Sequence, residues 1–180
     1  MNTALYSSVK DNWETPQAFF DKLNEEFRFT LDACALPENA KCRMFFSPKE
    51  NGLIQDWSGH AVFCNPPYGR KIVAWVEKCY SESRKKNTKV VMLLPARTDT
   101  IFFHKYIFGK AEEIRFIKGR LKFSNSPNGA PFPSMVVVFW LRYTERNISR
   151  SKEKASVFYR NGRTTTWNLV PPVQFVLLQL

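Results

Sequence analysis

An α/β fold with a mainly parallel sheet and an antiparallel edge hairpin is predicted from three observations in this chain of 180 residues. Helical and strand periodicities alternate as far as about residue 110. The run Val90-Val91-Met92-Leu93-Leu94 is continuously apolar, as expected of a strand covered on both faces. Strand-like segments then close the domain with no helix between them, an order that leaves an antiparallel pair at the sheet edge.

The elements follow in turn. Thr15-Pro16 reads as an N-cap with proline at the first helical position, and Phe19, Phe20, Leu23 and Phe27 share one helical face, so a helix is expected from about 16 to 27. Arg28-Phe29-Thr30-Leu31-Asp32 has the pattern of a strand ending in a carboxylate. A loop with Pro37 leads to the short apolar run Met44-Phe45-Phe46, and a turn at Asn51-Gly52 precedes the strand Ala61-Val62-Phe63-Cys64. Ile72, Trp75, Val76, Cys79 and Tyr80 recur at helical spacing and predict a second helix over roughly 71–84. Pro95 stops the next strand, and Thr98-Asp99 caps a helix that carries Ile101, Phe102, Phe103, Tyr106 and Ile107. Three strand-like runs follow: Ile114 to Ile117, Leu121-Lys122-Phe123, and Met135 to Trp140.

From Arg142 the character changes, with Arg146, Arg150, Lys152 and Lys154 set among Ser, Asn and Thr without a sustained period. One domain over residues 1–142 is therefore expected, followed by a basic, weakly ordered extension over 143–180. Within the extension, Val173 to Leu180 is apolar and either docks as a strand or stays exposed.

Length and composition narrow the class. The chain supports one full core and not two of ordinary size, and its 44% hydrophobic and 24% charged content is that of a soluble globular protein. Cys34, Cys42, Cys64 and Cys79 have no paired close spacing and lie in or beside apolar runs, which points to reduced, packed thiols in a cytoplasmic protein and to no metal site. No apolar stretch approaches a membrane span, and Met1-Asn2-Thr3-Ala4 lacks the pattern of a signal peptide.

The formal charge of +11 suggests an anionic partner, with solubility as the plainer explanation. Between Arg84 and Lys122 eleven basic residues face only Asp99, Glu112 and Glu113, a net of +8. Some belong to solvated helix faces. The loop members Arg97 and Lys105 and the strand-end members Arg120 and Lys122 are placed to track a phosphate backbone.

The chemistry is concentrated in Asn65-Pro66-Pro67-Tyr68, directly after the apolar strand. Each proline fixes its own φ near about −65°, donates no backbone hydrogen bond and pushes the preceding residue toward extended geometry. The Asn65 side-chain oxygen and the Pro66 carbonyl are thereby held close together as acceptors. A planar amine such as N6 of adenine has two N–H donors, and two such acceptors draw it toward a tetrahedral, nucleophilic shape. Tyr68 can stack on a base that has left its helix, a contact worth roughly 1–3 kcal/mol. The plainer reading is an Asn-Pro turn followed by a surface polyproline segment. Position at the carboxyl end of a buried-looking strand favours a site, because ligands of open α/β sheets bind there.

Further segments stand in a particular order: Asn12-Trp13-Glu14-Thr15-Pro16, Phe29-Thr30-Leu31-Asp32, Asn39-Ala40-Lys41-Cys42, and Gly52-Leu53-Ile54-Gln55-Asp56-Trp57. They continue with Asn65-Pro66-Pro67-Tyr68-Gly69, Leu93 to Thr100, Gly119-Arg120-Leu121-Lys122-Phe123 and Ala130-Pro131-Phe132-Pro133-Ser134. Over residues 11–140 this order resembles the phage-type, Dam-like DNA N6-adenine methyltransferases, and their combination is far more specific than any one of them. The resemblance implies a Rossmann-like class I methyltransferase that uses S-adenosylmethionine, acts on double-stranded DNA and works in the cytoplasm of a bacterial host as a phage or prophage product. It implies Asn65, Pro66, Pro67 and Tyr68 as catalytic residues. Trp13, Thr15, Pro16, Asp32, Asp56 and Asn65 face the cofactor on the same grounds, with Thr15 and Pro16 toward its methionine end and Asp56 toward its adenine. The loop Asp32-Ala33-Cys34-Ala35 departs from the wider methyltransferase pattern in having no glycine.

Plainer roles stand beside these: a helix cap for Thr15-Pro16, an exposed turn for Asp56, core tryptophans at Trp13 and Trp57, and no catalytic part for His60 or His104. An RNA adenine, a protein glutamine side chain, or non-enzymatic DNA binding are the competing functions; glutamine leaves the basic stretch unexplained, and the last leaves the cofactor-type segments unexplained. No separate recognition domain fits, so bases must be read by the segments 96–106 and 119–134, with Arg97, Arg120 and Asn125 as readers of a short or relaxed target.

Overall fold

The structure is a computed structural model that describes residues 12–124 and 126–141 and three strands at 154–157, 165–168 and 174–178. Asn125 and the other residues of 143–180 lie outside the described residues, and so does any test of the weakly ordered extension.

Among the described residues, two helices and two short helical turns, Gly52–Ile54 and Phe103–Ile107, accompany the main sheet. Helix α1 (Gln17–Phe27) buries Phe19, Phe20, Leu23 and Phe27, the face that the periodicity predicts. Pro16, in extended geometry, is its N-cap, and no side chain caps it; the Thr15 hydroxyl is directed elsewhere. The helix stops where Arg28 turns left-handed at φ 54°, with its amide bonded to the Asn24 carbonyl and the Phe29 amide bonded to the Asn24 side chain. Helix α2 (Ile72–Glu82) buries Ile72, Trp75, Val76 and Cys79.

The strands are β1 (Leu31–Asp32), β2 (Met44–Phe45), β3 (Ala61–Cys64), β4 (Lys89–Pro95), β5 (Glu113–Ile117), β6 (Ser134–Trp140), β7 (Lys154–Val157), β8 (Thr165–Asn168) and β9 (Gln174–Leu178). Seven form one mixed sheet in the order β2-β1-β3-β4-β6-β5-β9, and β7 and β8 pair antiparallel in a separate ladder. The ladders β2–β1, β1–β3, β3–β4 and β5–β9 are parallel, while β6 runs against both β4 and β5.

The expected antiparallel pair is therefore present but not at the edge. The apolar segment 174–178 docks on the open side of β5 as a further strand and moves the pair inward. Leu121-Lys122-Phe123 is not a strand. It is a loop in which Leu121 and Phe123 are buried and Arg120 and Lys122 exposed, so its alternation comes from lying across the core rather than from a ladder. Thr98-Asp99 does not cap the next helical turn, whose first bond runs from the Phe103 amide to the Thr100 carbonyl.

Strand β4 shows why its sequence is apolar throughout. Val90, Met92 and Leu94 pack into a core with α2 and the turn at Phe103–Ile107, whereas Val91 and Leu93 pack into a second core with α1. Three layers result, with the functional loops at the end where β3, β4 and β5 finish.

Candidate active site

Strand β3 is fully enclosed, with Val62, Phe63 and Cys64 each at most 1% exposed, and the chain leaves it at Asn65. The ladder with β1 sets Asp32 beside Phe63, and the Ala33 amide then bonds to the Phe63 carbonyl, 2.9 Å. Register with β4 sets Cys64 beside Met92, so the next turn emerges next to Leu93 and Leu94. Thr15, Asp32, Asn65 and Tyr68 thus converge at one edge of the sheet.

The Asn65 carboxamide is held on three sides. Its nitrogen donates to the Trp13 carbonyl (2.5 Å) and to the Thr15 hydroxyl (2.9 Å), and its oxygen accepts from the Tyr68 hydroxyl (2.8 Å). A backbone carbonyl can only accept, so the nitrogen must face Trp13 and the oxygen must face Tyr68. Both amide N–H groups are used, while the oxygen keeps one lone pair. Among the described residues nothing donates to the Pro66 carbonyl.

Tyr68 is folded inward. Its hydroxyl lies 3.3 Å from the Leu93 carbonyl as well as 2.8 Å from Asn65, and its ring meets Phe132 and Phe123 edge to face, with centroids 5.6 and 6.2 Å apart. Burial holds the phenol well above its usual range, so it stays protonated and acts as a donor. Trp13 closes the cluster, 5.2 Å from both phenylalanines. The segment before α1 is pinned from the other side as well, because the Ser124 amide donates to the Glu14 carbonyl, 2.9 Å.

This box of four rings is what sequence reasoning missed. Phe123 and Phe132 were expected only as parts of longer segments, and the available signal was an aromatic residue bracketed by Pro131 and Pro133. Two polar atoms on the same side of the sheet, Trp13 Nε1 and Ser134 Oγ, are buried with no hydrogen-bond partner among the described residues.

Asp32, 2% exposed, ends β1 at this edge. Its oxygens accept from the amides of Cys34 (3.3 Å) and Lys41 (3.0 Å), so it braces both ends of the loop that joins β1 to β2. Burial raises its carboxyl above the ordinary value, against those amides, which lower it. A glycine packs against this loop from outside it. Gly52 lies so close to Ala33 that a Cβ there would sit 2.2 Å from the Ala33 carbonyl oxygen.

Asp56 is not brought to this edge. It is exposed at the start of β3, bonded to Ser58 and paired with Lys85 at 2.7 Å, and these contacts hold its carboxyl well below the usual range. The neighbouring Gly59 and His60 bond to Thr88 and Lys89, which fixes this segment at the amino end of β4. Trp57 is a core residue, fully buried, stacked on Trp75 and bonded through Nε1 to the Gly52 carbonyl. His60 meets the Thr30 hydroxyl at that same far edge, and His104 lies against Phe103 and Phe108.

The basic stretch divides by edge. Lys85 is paired with Asp56 and Glu82, and Arg115 with Glu26 and Glu113. Lys89 stands 4.6 Å from the Trp140 ring centre. All are at the amino end of β4 and β5. Arg97 follows the carboxyl end of β4, and Arg120 and Lys122 follow that of β5; all three are exposed and make no salt bridge among the described residues. Lys105, also exposed, lies over Tyr106. The four cysteines are free, and among the described residues no cluster of metal-ligating side chains occurs and no helix is long and apolar enough to cross a membrane.

Comparison with known proteins gives a concordant result. The family model described as DNA N-6-adenine-methyltransferase (Dam) matches residues 2–164. A DNA N-6-adenine-methyltransferase of Haemophilus phage HP1 (strain HP1c1) is 33% identical over 139 residues, covering 73% of this chain and 80% of the relative. One of the same name from Escherichia phage T1 is 36% identical over 98 residues, 53% of this chain and 40% of that one. The putative methyltransferase YfdM of Escherichia coli (strain K12) is 39% identical over 67 residues, 33% of this chain and 74% of that protein.

Proposed function

The chain belongs to the DNA N-6-adenine-methyltransferase (Dam) family of adenine-specific DNA methyltransferases, and from that premise we propose that it methylates N6 of an adenine flipped out of double-stranded DNA, with S-adenosylmethionine as donor. The observation that carries the proposal is the Asn65 carboxamide, turned by Trp13, Thr15 and Tyr68 so that its oxygen keeps a lone pair available to an amine.

Asn65 Oδ1 and the Pro66 carbonyl each accept one N–H of the target amine. Bonding both hydrogens in this way draws the nitrogen from planar toward tetrahedral and localises on it the lone pair that was shared with the ring. The same oxygens then face the positive charge that grows on nitrogen, and the extra proton leaves to water. No strong base is needed. Catalysis rests on alignment and on oriented acceptors.

The residues at this edge fit the donor. Trp13 Nε1 is a buried N–H without a partner, Thr15 offers a hydroxyl, and Asp32 places a buried carboxylate at the end of β1. Trp13, Thr15, Pro16, Asp32 and Asn65 would hold it, whereas the place of Asp56 at the far edge takes it out of the set. When bound, S-adenosylmethionine supplies a methyl group on a positively charged sulfur, which keeps the bonding electron pair as the amine nitrogen takes the methyl.

The mixed sheet, with its one reversed strand between β4 and β5, supports a Rossmann-like class I fold. Arg97, Lys105, Arg120 and Lys122 surround the site as phosphate contacts, which supports a nucleic acid over a peptide as substrate. The place of action is the cytoplasm of a bacterial host carrying the phage or prophage. Incubation with labelled S-adenosylmethionine and unmethylated DNA, RNA or protein, followed by nucleoside analysis, tests the whole reading. N6-methyladenine in DNA, lost in Asn65→Ala, is expected; label confined to RNA or protein overturns it.

A further inference from the structure

We propose that Ile101 is a wedge that enters the duplex beside the target adenine and holds the stack open while that base is in the site. The inference rests on the duplex-DNA reading above and adds to it a residue that does not touch the reacting atoms.

Ile101 is the most exposed large apolar side chain among the described residues, at 83%. Its two successors are its anchors: Phe102 and Phe103 are each 5% exposed and packed in the core. The loop before it is tied down, with the Ala96 amide bonded to the Pro133 carbonyl (2.9 Å) and the Thr100 hydroxyl to the Arg97 carbonyl (2.9 Å). A stiff, β-branched side chain is thus held outward on a fixed base, where it loses little rotamer freedom on insertion.

Place and charge select the partner. The loop leaves the carboxyl end of β4, whose Leu93 carbonyl lies 3.3 Å from the Tyr68 hydroxyl of the site. Arg97 and Lys105 stand on either side of Ile101 in the chain, both exposed, with Asp99 the single acidic residue between them. The other strongly exposed aliphatic, Ile54 at 75%, has the opposite setting, because Glu50 and Asp56 flank it and would repel phosphates. Apolar wedges between cationic backbone contacts are a common means of unstacking a base step, and flipping has to replace the stacking that the departing base gives up.

The test uses the full-length protein and a short duplex carrying one adenine that it methylates, in two forms: fully paired, and with the partner nucleotide replaced by an abasic site so that the adenine is already unpaired. For Ile101→Ala, kcat/KM is expected to fall about tenfold on the paired duplex and to match the unvaried enzyme on the abasic one, with Ile101→Leu close to normal on both. The rise in fluorescence on binding a duplex with 2-aminopurine at the target should shrink in Ile101→Ala. Equal rates on the paired duplex, or the same loss on both duplexes, would overturn the wedge. Failure of the underlying reading looks different, since the unvaried protein would then make no N6-methyladenine on either duplex.

Discussion

The two edges of the sheet are built on opposite plans. At the amino edge of β4 and β5, charge is closed on itself: Lys78 and Lys85 on Glu82, Lys85 on Asp56, Arg115 on Glu26 and Glu113. At the carboxyl edge Arg97, Arg120 and Lys122 have no acidic partner among the described residues, and two buried polar atoms have no hydrogen bond. The first edge maximises what the fold can satisfy internally. The second leaves groups in reserve for something outside the chain, at a cost in stability that an isolated structure has no reason to bear.

The largest test of that contrast is Asn65→Ala. It removes one of the two acceptors for the amine and should lower the rate of DNA methylation about a hundredfold or more, while a far-ultraviolet spectrum shows a folded chain. The mirror experiment is Arg115→Ala at the amino edge. It leaves Glu113 half-desolvated and unpaired, and with Glu26 half-exposed the expected loss is about 2 kcal/mol of stability in urea unfolding, with kcat unchanged below the transition. If both variants lose activity and stability alike, the division between edges is wrong.

Tyr68→Phe removes only a hydroxyl from the carboxyl edge. Asn65 then loses one of the three bonds that hold its amide, and kcat should fall about tenfold with about 1 kcal/mol of stability lost.

Acid should weaken the amino edge. Burial pushes the Glu82 carboxyl up, but hydrogen bonds from Lys78, Lys85 and the Trp57 amide outweigh it and hold it below its ordinary value of 4.5. A depressed carboxylate stabilises the fold at any pH above the unfolded value and loses that contribution as pH falls toward the folded one. Thermal unfolding temperature should therefore drop as pH is lowered below about 4.5, and Glu82→Gln should flatten that slope.

The smallest effect belongs to the exposed cations. Arg120→Ala and Lys122→Ala should each reduce the slope of log affinity for DNA against log salt by about one, with little change in thermal stability. An unchanged slope would remove these residues from the interface.

Most of the scaffold was legible because its signals are local. Phe19 to Phe27 and Ile72 to Cys79 mark helix faces, the enclosed run of β4 marks a strand covered twice, and Asn65-Pro66-Pro67-Tyr68 marks the turn that leaves β3. What was not legible depends on partners distant in sequence. Thr15 carries the local signature of a helix cap, yet its hydroxyl meets an amide 50 residues away. Asp56 sits in a turn whose pattern is the same at either end of a sheet, and only its bond to Lys85 reveals which end it occupies. Leu121 and Phe123 alternate with exposed cations as a strand would, because two apolar side chains of a loop drop onto one core. The inward position of β6 follows from a strand some forty residues downstream that no local pattern assigns to β5.

The hydrogen bonds from Asn65 to Trp13 and Thr15 make the setting of this amide the product of two distant stretches of chain. Neither Trp13 nor Thr15 belongs to the sheet, so the amide at the end of β3 is oriented from outside the layers that carry it, by a stretch whose Trp13 ring and Glu14 carbonyl are tied in turn to Phe123, Phe132 and Ser124.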